Sequence, residues 1–379
     1  MFGFFSFYSV LLLFFAFFYL FVVHLPNNER IKNRLFYTIA MILIALAAFR
    51  DETVGGDLES YLPVFYNTGS YHSFTQLLQY SIISGYEYGF VLICKAINII
   101  NNSSRSFIAI TSVCSLIGPF YLIYKTSSDR VFSLFLFILS GFYNIFFNNV
   151  RQALALSVIM FSILLLLKNK NIHFLFGVII ASLIHSSAVF SLLLYPVNKM
   201  YYSSKKVVLL LFLLLAFYFI FGDYLLSFFV SNFFTKYMDN QSDALVSGTG
   251  YSLLAVRVFV MFICLYVFNR VKNKMTTKEY LLNKLFVFSI IVAVLCQLFA
   301  SLLANLTRLS YYFYLPIIVL LPNLFDSIKS LSTRRFLFFG VFFVLYILMC
   351  ITFLSPVKGM DINVTGTIPY SLLDGFFSW

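Results

Sequence analysis

Charged residues are scarce in this sequence: only 11% of the 379 residues are Asp, Glu, Lys or Arg, while 61% are hydrophobic. A water-soluble domain carries about 25% charged residues, so this chain cannot cover itself with a polar surface. In hydrocarbon, every backbone amide must be bonded within its own segment, which favours helices. The composition therefore predicts an all-α, polytopic integral membrane protein with the lipid bilayer as a partner.

The sequence also lacks the motifs of common nucleotide and metal sites. It contains no P-loop GKS/T, no GxGxxG turn and no HExxH. Its five cysteines are scattered and include no CxxC pair, so neither a disulfide framework nor a zinc site is expected. We therefore expect no metal and no cofactor, and a substrate that has been activated before it reaches this chain.

Apolar segments follow one another from end to end and predict about 12 transmembrane helices, within a range of about 11 to 13. These would form a single integral membrane domain over residues 1–379. Segment 86–101 is short and contains Lys95, so a re-entrant or interfacial helix is expected there. Segment 172–198 is tight for two crossings, and a break is expected near His185. The expected spans lie near residues 2–23, 36–49, 106–124, 131–147, 151–167, 172–186, 187–198, 207–222, 251–269, 282–304, 309–327 and 336–355.

Basic residues are concentrated in alternate loops. Six loops hold 18 of the 26 lysines and arginines, and the positive-inside rule puts these loops in the cytoplasm. The net charge of +12 is then mainly a topology signal, and no nucleic acid partner is expected. The opposite face carries loop 50–105 with its amphipathic or re-entrant segment, loop 223–250 and the tail 356–379. The basic loops are residues 25–34, 125–130, 168–171, 198–206, 270–284 and 327–335.

Four arginines lie at the outer ends of the expected spans, and His185 lies at the same depth as one of them, Arg151. A charge near hydrocarbon is costly unless it is paired or faces a wet cavity. Guanidinium is planar and permanently charged and donates two parallel hydrogen bonds to phosphate or carboxylate, so arginines that share one outer cavity indicate a diphosphate ligand. Polar neighbours Asn148 and Gln152 favour this interpretation for Arg151. The alternative, that each arginine reaches lipid headgroups, stays open for the others, which are Arg50, Arg257 and Arg308.

Acidic residues follow a glycine pair in the first outer loop. Asp57 and Glu59 come directly after Gly55 and Gly56, which permit a tight turn. Asp57, Tyr61 and Phe65 are four residues apart and would share one face of a short amphipathic helix on the membrane. A solvated loop capped by Asp57 is the alternative. Farther along, Glu87 stands at the entrance of the expected re-entrant element.

Four short motifs occur in an order that resembles the EpsG-like, Wzy-type polysaccharide polymerases. They are FR followed by VGGDLESY, then GYEYGFVLI, then NNVRQALALSV and LIHSSAVFSLLLYP. The resemblance covers roughly residues 1–200, and the remainder is similar in character only. The sequence departs from the family pattern at Tyr88, where a proline is usual.

The resemblance implies an enzyme that joins oligosaccharide repeat units carried on undecaprenyl diphosphate, at the outer face of the bacterial inner membrane. Its partners would be the lipid-linked donor and acceptor units and a chain-length regulator. Arg151, then Arg308, Arg257 and Arg50, would bind the departing diphosphate. Either His185 or Asp57 would be the general base, and this choice stays open. Supporting roles are expected for Asn148, Gln152, Glu59, Tyr61 and Glu87.

Two other classes of membrane protein remain as alternatives. A flippase for lipid-linked glycans would have a similar number of spans, but internal repeats and basic residues deep in a central cavity would be expected. Neither feature is visible in this sequence. A membrane glycosyl- or acyltransferase that decorates a polysaccharide is the other alternative, and an acyltransferase with a cytoplasmic donor would place its polar residues on the inner face.

Overall fold

The structure is a computed structural model that describes residues 29–203, 220, 249–300, 305–349, 371–372 and 377–378. The expected span 2–23 lies outside the described residues, as do nearly all of the expected span 207–222 and the expected outer loop 223–250. The expected outer tail 356–379 is described only at two short strands, which pair in antiparallel fashion, β1 (Ser371–Leu372) and β2 (Phe377–Ser378).

The chain divides into two compact units, residues 1–192 with 349–379, and residues 193–348. The described helices of the first unit are α1 (Glu29–Ala48), α2 (Leu58–Asn67), α3 (Phe74–Ser84), α4 (Tyr88–Ile100), α5 (Ser104–Thr126), α6 (Arg130–Leu139), α7 (Phe142–Asn148), α8 (Val150–Leu167) and α9 (Asn171–Ile184). The second unit begins with α10 (Leu194–Lys199) and continues through α11 (Thr249–Val271), α12 (Thr277–Phe299), α13 (Asn305–Tyr314), α14 (Ile317–Asp326) and α15 (Leu331–Met349).

Seven helical segments among the described residues are long and apolar enough to cross a membrane, and up to eight if one bent pair counts as a span. Apart from β1 and β2, the described elements are helices, so the protein is a helical, multi-pass membrane protein. The expected count of about 12 spans is not confirmed. The bent pair is α6 and α7, which meet at an angle of 59°. The chain turns there at Gly141, whose φ of 77° is accessible to glycine at no steric cost.

Two apolar helices among the described residues are too short to count as spans. Helix α4 has 13 residues and is about 20 Å long, whereas the hydrocarbon core is about 30 Å thick. That length fits the expected re-entrant or interfacial element. Helix α9 ends at Ile184, and a 3-10 segment, Ser186–Leu193, follows it. The expected break near His185 is thus present, but two full crossings within 172–198 are not confirmed.

Small residues allow the central helices of the first unit to approach closely. Helix α8 packs against both α5 and α9, and a Cβ added at Gly118 of α5 would collide with the backbone of Ser157 in α8. The Ser157 hydroxyl accepts a hydrogen bond from the Gly118 amide at 3.0 Å and donates one to the Cys114 carbonyl at 2.6 Å. Contacts of this kind, between small residues and polar side chains, drive helix association in membranes.

We expect Gly118→Ala to lower the free energy of unfolding by about 1–3 kcal/mol, because α5 and α8 must separate to admit the methyl group. Gly340→Ala in α15 is the matched control, since a Cβ there meets no atom within 4 Å, and alanine is the better helix former. Thermal unfolding in detergent should show a lower midpoint for Gly118→Ala and an unchanged or higher one for Gly340→Ala. Equal midpoints for the two variants would contradict the close contact.

Candidate functional site: an ion-pair cluster at the helix ends

Arg151 lies in the first turn of α8 and is paired with Glu87, the residue that precedes α4. The Nη1 atom of Arg151 and the Oε2 atom of Glu87 are 2.5 Å apart. Both side chains are largely buried, with 19% and 18% of their surfaces exposed. A charge near the hydrocarbon is thus paired, as its position requires.

The second carboxylate oxygen of Glu87 faces the end of α9. Glu87 Oε1 accepts a hydrogen bond from the backbone amide of Ser186 at 2.9 Å and lies 3.2 Å from Nδ1 of His185. The imidazole is within reach of the carboxylate, although the two are not aligned as a hydrogen bond. We call Glu87, Arg151 and His185 the ion-pair cluster. It brings together two residues that the sequence predicted to lie at matching depths.

The Glu87 carboxyl remains ionised. Burial by itself raises the pKa of this group, but the contacts with the His185 side chain and the Ser186 amide, together with the charge of Arg151, outweigh burial and lower the pKa from 4.5 to about 2. At neutral pH, Glu87 is therefore an anion that orients its neighbours, and it has no proton to donate.

Three aromatic rings surround the guanidinium of Arg151. Its central carbon lies 4.5 Å from the ring centre of Tyr86, 5.5 Å from that of Tyr61 and 5.9 Å from that of Phe90. The rings attract the cation through their π-electron faces and restrict its movement. Sequence reasoning included Tyr61 but missed Tyr86 and Phe90, even though both flank Glu87 in the motif GYEYGFVLI.

Asp57 joins the site through its neighbours. The backbone amide of Asp57 donates to Oδ1 of Asn148 at 2.8 Å, and its carboxylate accepts from the Tyr61 hydroxyl at 3.3 Å. Gly55 has a φ of +113°, and a Cβ on it would lie 2.6 Å from the carbonyl oxygen of Phe147. Only glycine therefore lets this turn dock onto the end of α7.

The expected amphipathic helix is α2, which begins directly after Asp57. Tyr61 and Phe65 lie on one face of α2, as expected, and both are buried in the protein. That face packs onto aromatic residues of α4 and α5, with ring centres 5.5 Å apart for Tyr61 and Phe90, and 5.2 Å apart for Phe65 and Phe107. Among the other supporting residues, Gln152 is buried and Glu59 is exposed.

Gly89 permits the approach of α4 to α9. A Cβ on Gly89 would lie 2.6 Å from the carbonyl oxygen of Leu183 and 3.0 Å from its Cβ. Because Glu87 is two residues before Gly89 and His185 is two residues after Leu183, this contact sets the separation of the carboxylate and the imidazole.

Arg50 connects helices of the first unit near the site. Its side chain is buried and donates to the carbonyl oxygens of Ala47 at 2.7 Å, Val54 at 3.2 Å and Phe147 at 3.4 Å. A further bond, at 2.6 Å, reaches the Ser112 hydroxyl. These contacts join the end of α1 to α5 and α7, and a role for Arg50 in ligand binding stays a prediction.

The second unit has its own arginine cluster. Arg257 is only 2% exposed, and its Nη1 donates to Gln297 at 2.7 Å and to the hydroxyl of Ser310. Its guanidinium lies 4.6 Å from the ring centre of Tyr314. Within the described residues, no carboxylate forms an ion pair with Arg257. Arg308 is exposed on α13, two residues before Ser310. The predicted convergence of all four arginines on one cavity is untested.

The fold and the ion-pair cluster define a multi-pass membrane protein whose polar site is built from residues at helix ends. A protein-family model, that of the EpsG family, matches residues 33–372. The chain therefore belongs to the EpsG family and is an EpsG-like, polysaccharide-polymerase-like membrane protein. This confirms the resemblance seen in the motifs and extends it beyond residue 200. No curated protein and no solved structure gives a significant match.

The stability that the Glu87 contacts provide should depend on pH. Because the pKa is lower in the folded protein, this contribution is fully present above pH 4.5 and is lost as the pH falls towards about 2. We expect wild type to unfold at a higher temperature than Glu87→Gln at pH 6, with the difference shrinking between pH 4.5 and pH 2. The Asp326→Asn variant is the control, since it removes an exposed ion pair with Arg334 that contributes little. A difference that stays constant with pH would contradict this account.

Proposed function

We propose that this chain joins oligosaccharide repeat units carried on undecaprenyl diphosphate into a surface polysaccharide, such as O antigen, capsule or exopolysaccharide, at the outer face of a bacterial inner membrane. Membership of the EpsG family supports a polysaccharide polymerase, and the distribution of basic loops supports the orientation. The proposal keeps the sequence-based count of about 12 spans, since two expected spans lie outside the described residues. The observation that carries the proposal is the ion-pair cluster.

The proposed reaction is glycosyl transfer without a nucleotide. The bond between the anomeric carbon of the donor and its diphosphate breaks, and the electron pair leaves with the diphosphate oxygen. The acceptor hydroxyl oxygen bonds to that carbon, and its proton passes to a base. Negative charge grows on the departing diphosphate, so a cation already held in place stabilises the transition state.

Arg151 is proposed to contact the departing diphosphate. Glu87 engages its Nη1 and the aromatic rings surround it, while part of the side chain stays exposed and accessible to a ligand. A guanidinium held in this way keeps its permanent charge and has donors left for an oxyanion. Arg308, Arg257 and Arg50 are further candidates for the same ligand.

His185 is proposed to be the general base, with Glu87 as its positioning residue. A carboxylate 3.2 Å from Nδ1 favours the tautomer with a proton on that nitrogen, which leaves Nε2 as the proton acceptor. Hydrogen bonds of this type are often poorly aligned before the substrate binds. Asp57 is the second candidate, and its contact with the Tyr61 hydroxyl suits it to orient the acceptor sugar.

The diphosphate role is tested with a strain that lacks this gene, complemented with variants, by gel analysis of its surface polysaccharide. Arg151→Lys should lose the ladder of long chains and leave single repeat units, because lysine is a point charge without the planar pair of donors. Arg130→Lys is the matched control, since Arg130 also begins a helix, contacts a carboxylate and lies 4.9 Å from the Tyr124 ring centre. A full ladder from Arg151→Lys would contradict bidentate binding, and loss of even single units on deletion would indicate export instead.

The base is tested by turnover of the purified protein with a lipid-linked oligosaccharide. His185→Ala should lower the rate by about 10²–10⁴, whereas Asp57→Asn should lower it less. His173→Ala is the control, because His173 is an exposed histidine of α9, the helix that His185 follows. A larger loss from Asp57→Asn than from His185→Ala would assign the base to Asp57.

A further inference from the structure

A groove lies between α3 and α4 in the first unit, away from the ion-pair cluster. Gly85 ends α3 in the left-handed conformation, and the chain reverses into α4. The open end of this helical hairpin forms the groove. Its walls are mainly apolar, with two basic side chains among them, and the lining includes His72, Phe74, Leu77, Leu92, Lys95 and Ile99.

Both ends of the α3–α4 hairpin carry apolar surface that is suited to lipid and not to water. Exposed fractions lie between 73% and 84% for Phe74, Ile82, Ile83, Ile99 and Ile100. Exposed apolar side chains at this density mark a membrane-facing or ligand-binding surface. Because neither α3 nor α4 is long enough to cross the bilayer, the hairpin fits the interfacial region, where lipid chains meet their headgroups.

Lys95 gives the groove a cation. It is the only charged residue of α4, in the sequence YGFVLICKAINII, and its ammonium donates to the Gly69 carbonyl at 3.3 Å. Within the described residues, no carboxylate forms an ion pair with Lys95. An ammonium has three donors, so donors remain for an anion. A cation beside apolar walls complements an amphiphilic anion, in which a phosphate is joined to a hydrocarbon chain.

The groove and the ion-pair cluster share one helix. Lys95 comes eight residues after Glu87, which places the two positions about 12 Å apart along the α4 axis. In the proposed reaction, the donor diphosphate must lie at the reacting carbon. The diphosphate of the acceptor lies at the far end of its repeat unit, so a second anion site displaced from the first is required.

We propose that this groove binds the isoprenyl diphosphate end of the acceptor lipid. Lys95 and His72, which line the same groove, contact the phosphates, and Phe74, Leu92 and Ile99 contact the first isoprenyl units. The identity of this ligand rests on the polymerase function proposed above. The groove would then hold the acceptor while its sugar end reaches the ion-pair cluster.

The binding test uses the full-length protein in nanodiscs and a photoreactive isoprenyl diphosphate, with peptide mapping of the cross-links. Labelling should fall on the groove segments 72–77 and 92–99, and Lys95→Gln should weaken it there by about tenfold to a hundredfold, the loss typical of a hydrogen bond to a charged group. Ala96→Phe, which fills the groove and keeps the charge, should weaken it too. Lys125→Gln is the control, since Lys125 is likewise a lysine on a helix of the first unit but does not line the groove. Unchanged labelling in Lys95→Gln, or equal competition by phosphatidylglycerol, would overturn the proposal.

Steady-state kinetics separates this proposal from the proposed function. Lys95→Gln should raise KM for the acceptor and leave both kcat and the donor KM unchanged, whereas Arg151→Lys should keep the labelling of the groove and lose turnover. If wild type polymerises and Lys95→Gln leaves the acceptor KM unchanged, the acceptor site is refuted and the polymerase function is not. A wild-type protein that is labelled in the groove but makes no polymer would refute the polymerase function and, with it, the assignment of the acceptor as ligand.

Discussion

The carboxylate of Glu87 is the interaction on which the candidate site depends. It is ionised, it precedes α4, and it binds Arg151 at the start of α8 and the Ser186 amide after α9. His185 lies against the same group. Since one anion connects three segments, the positions of the guanidinium, the imidazole and the turn after α9 are coupled, and Gly89 sets how closely the segments approach.

This arrangement contributes more to the position of the Arg151 guanidinium than to the stability of the fold. A partly buried ion pair recovers much of the cost of removing two charges from water, but it rarely contributes a large net free energy. What it supplies is a guanidinium with a defined orientation, surrounded by the rings of Tyr61, Tyr86 and Phe90. A preorganised cation of this kind is suited to a reaction in which negative charge develops on a leaving group.

The sequence predicted more of the site than of the span count. Helix periodicity and loop charge put Arg151 and His185 at the same ends of neighbouring helices, and the four-residue spacing put Asp57 and Tyr61 on one face. The contacts of Arg257 with Gln297 and Ser310 could not be predicted, since they join residues 40 and 53 positions apart. The breaks at Gly141 and Ser186 divide apolar segments into shorter helices. They therefore reduced the number of helices long enough to span, which apolar composition alone does not reveal.

By itself, the sequence determined that this protein is a helical, multi-pass membrane protein, because a chain so poor in charge can satisfy its backbone only within apolar helices. It also determined the family, through short motifs in a characteristic order. Only the tertiary structure decided that Arg151 pairs with the Glu87 carboxylate and that Arg50 makes structural contacts between helices. Arg50 and Arg151 both lie at helix ends, but only helix packing brings Glu87 to Arg151, and the Ser112 hydroxyl and the Phe147 carbonyl to Arg50. Such distances are absent from any one-dimensional pattern.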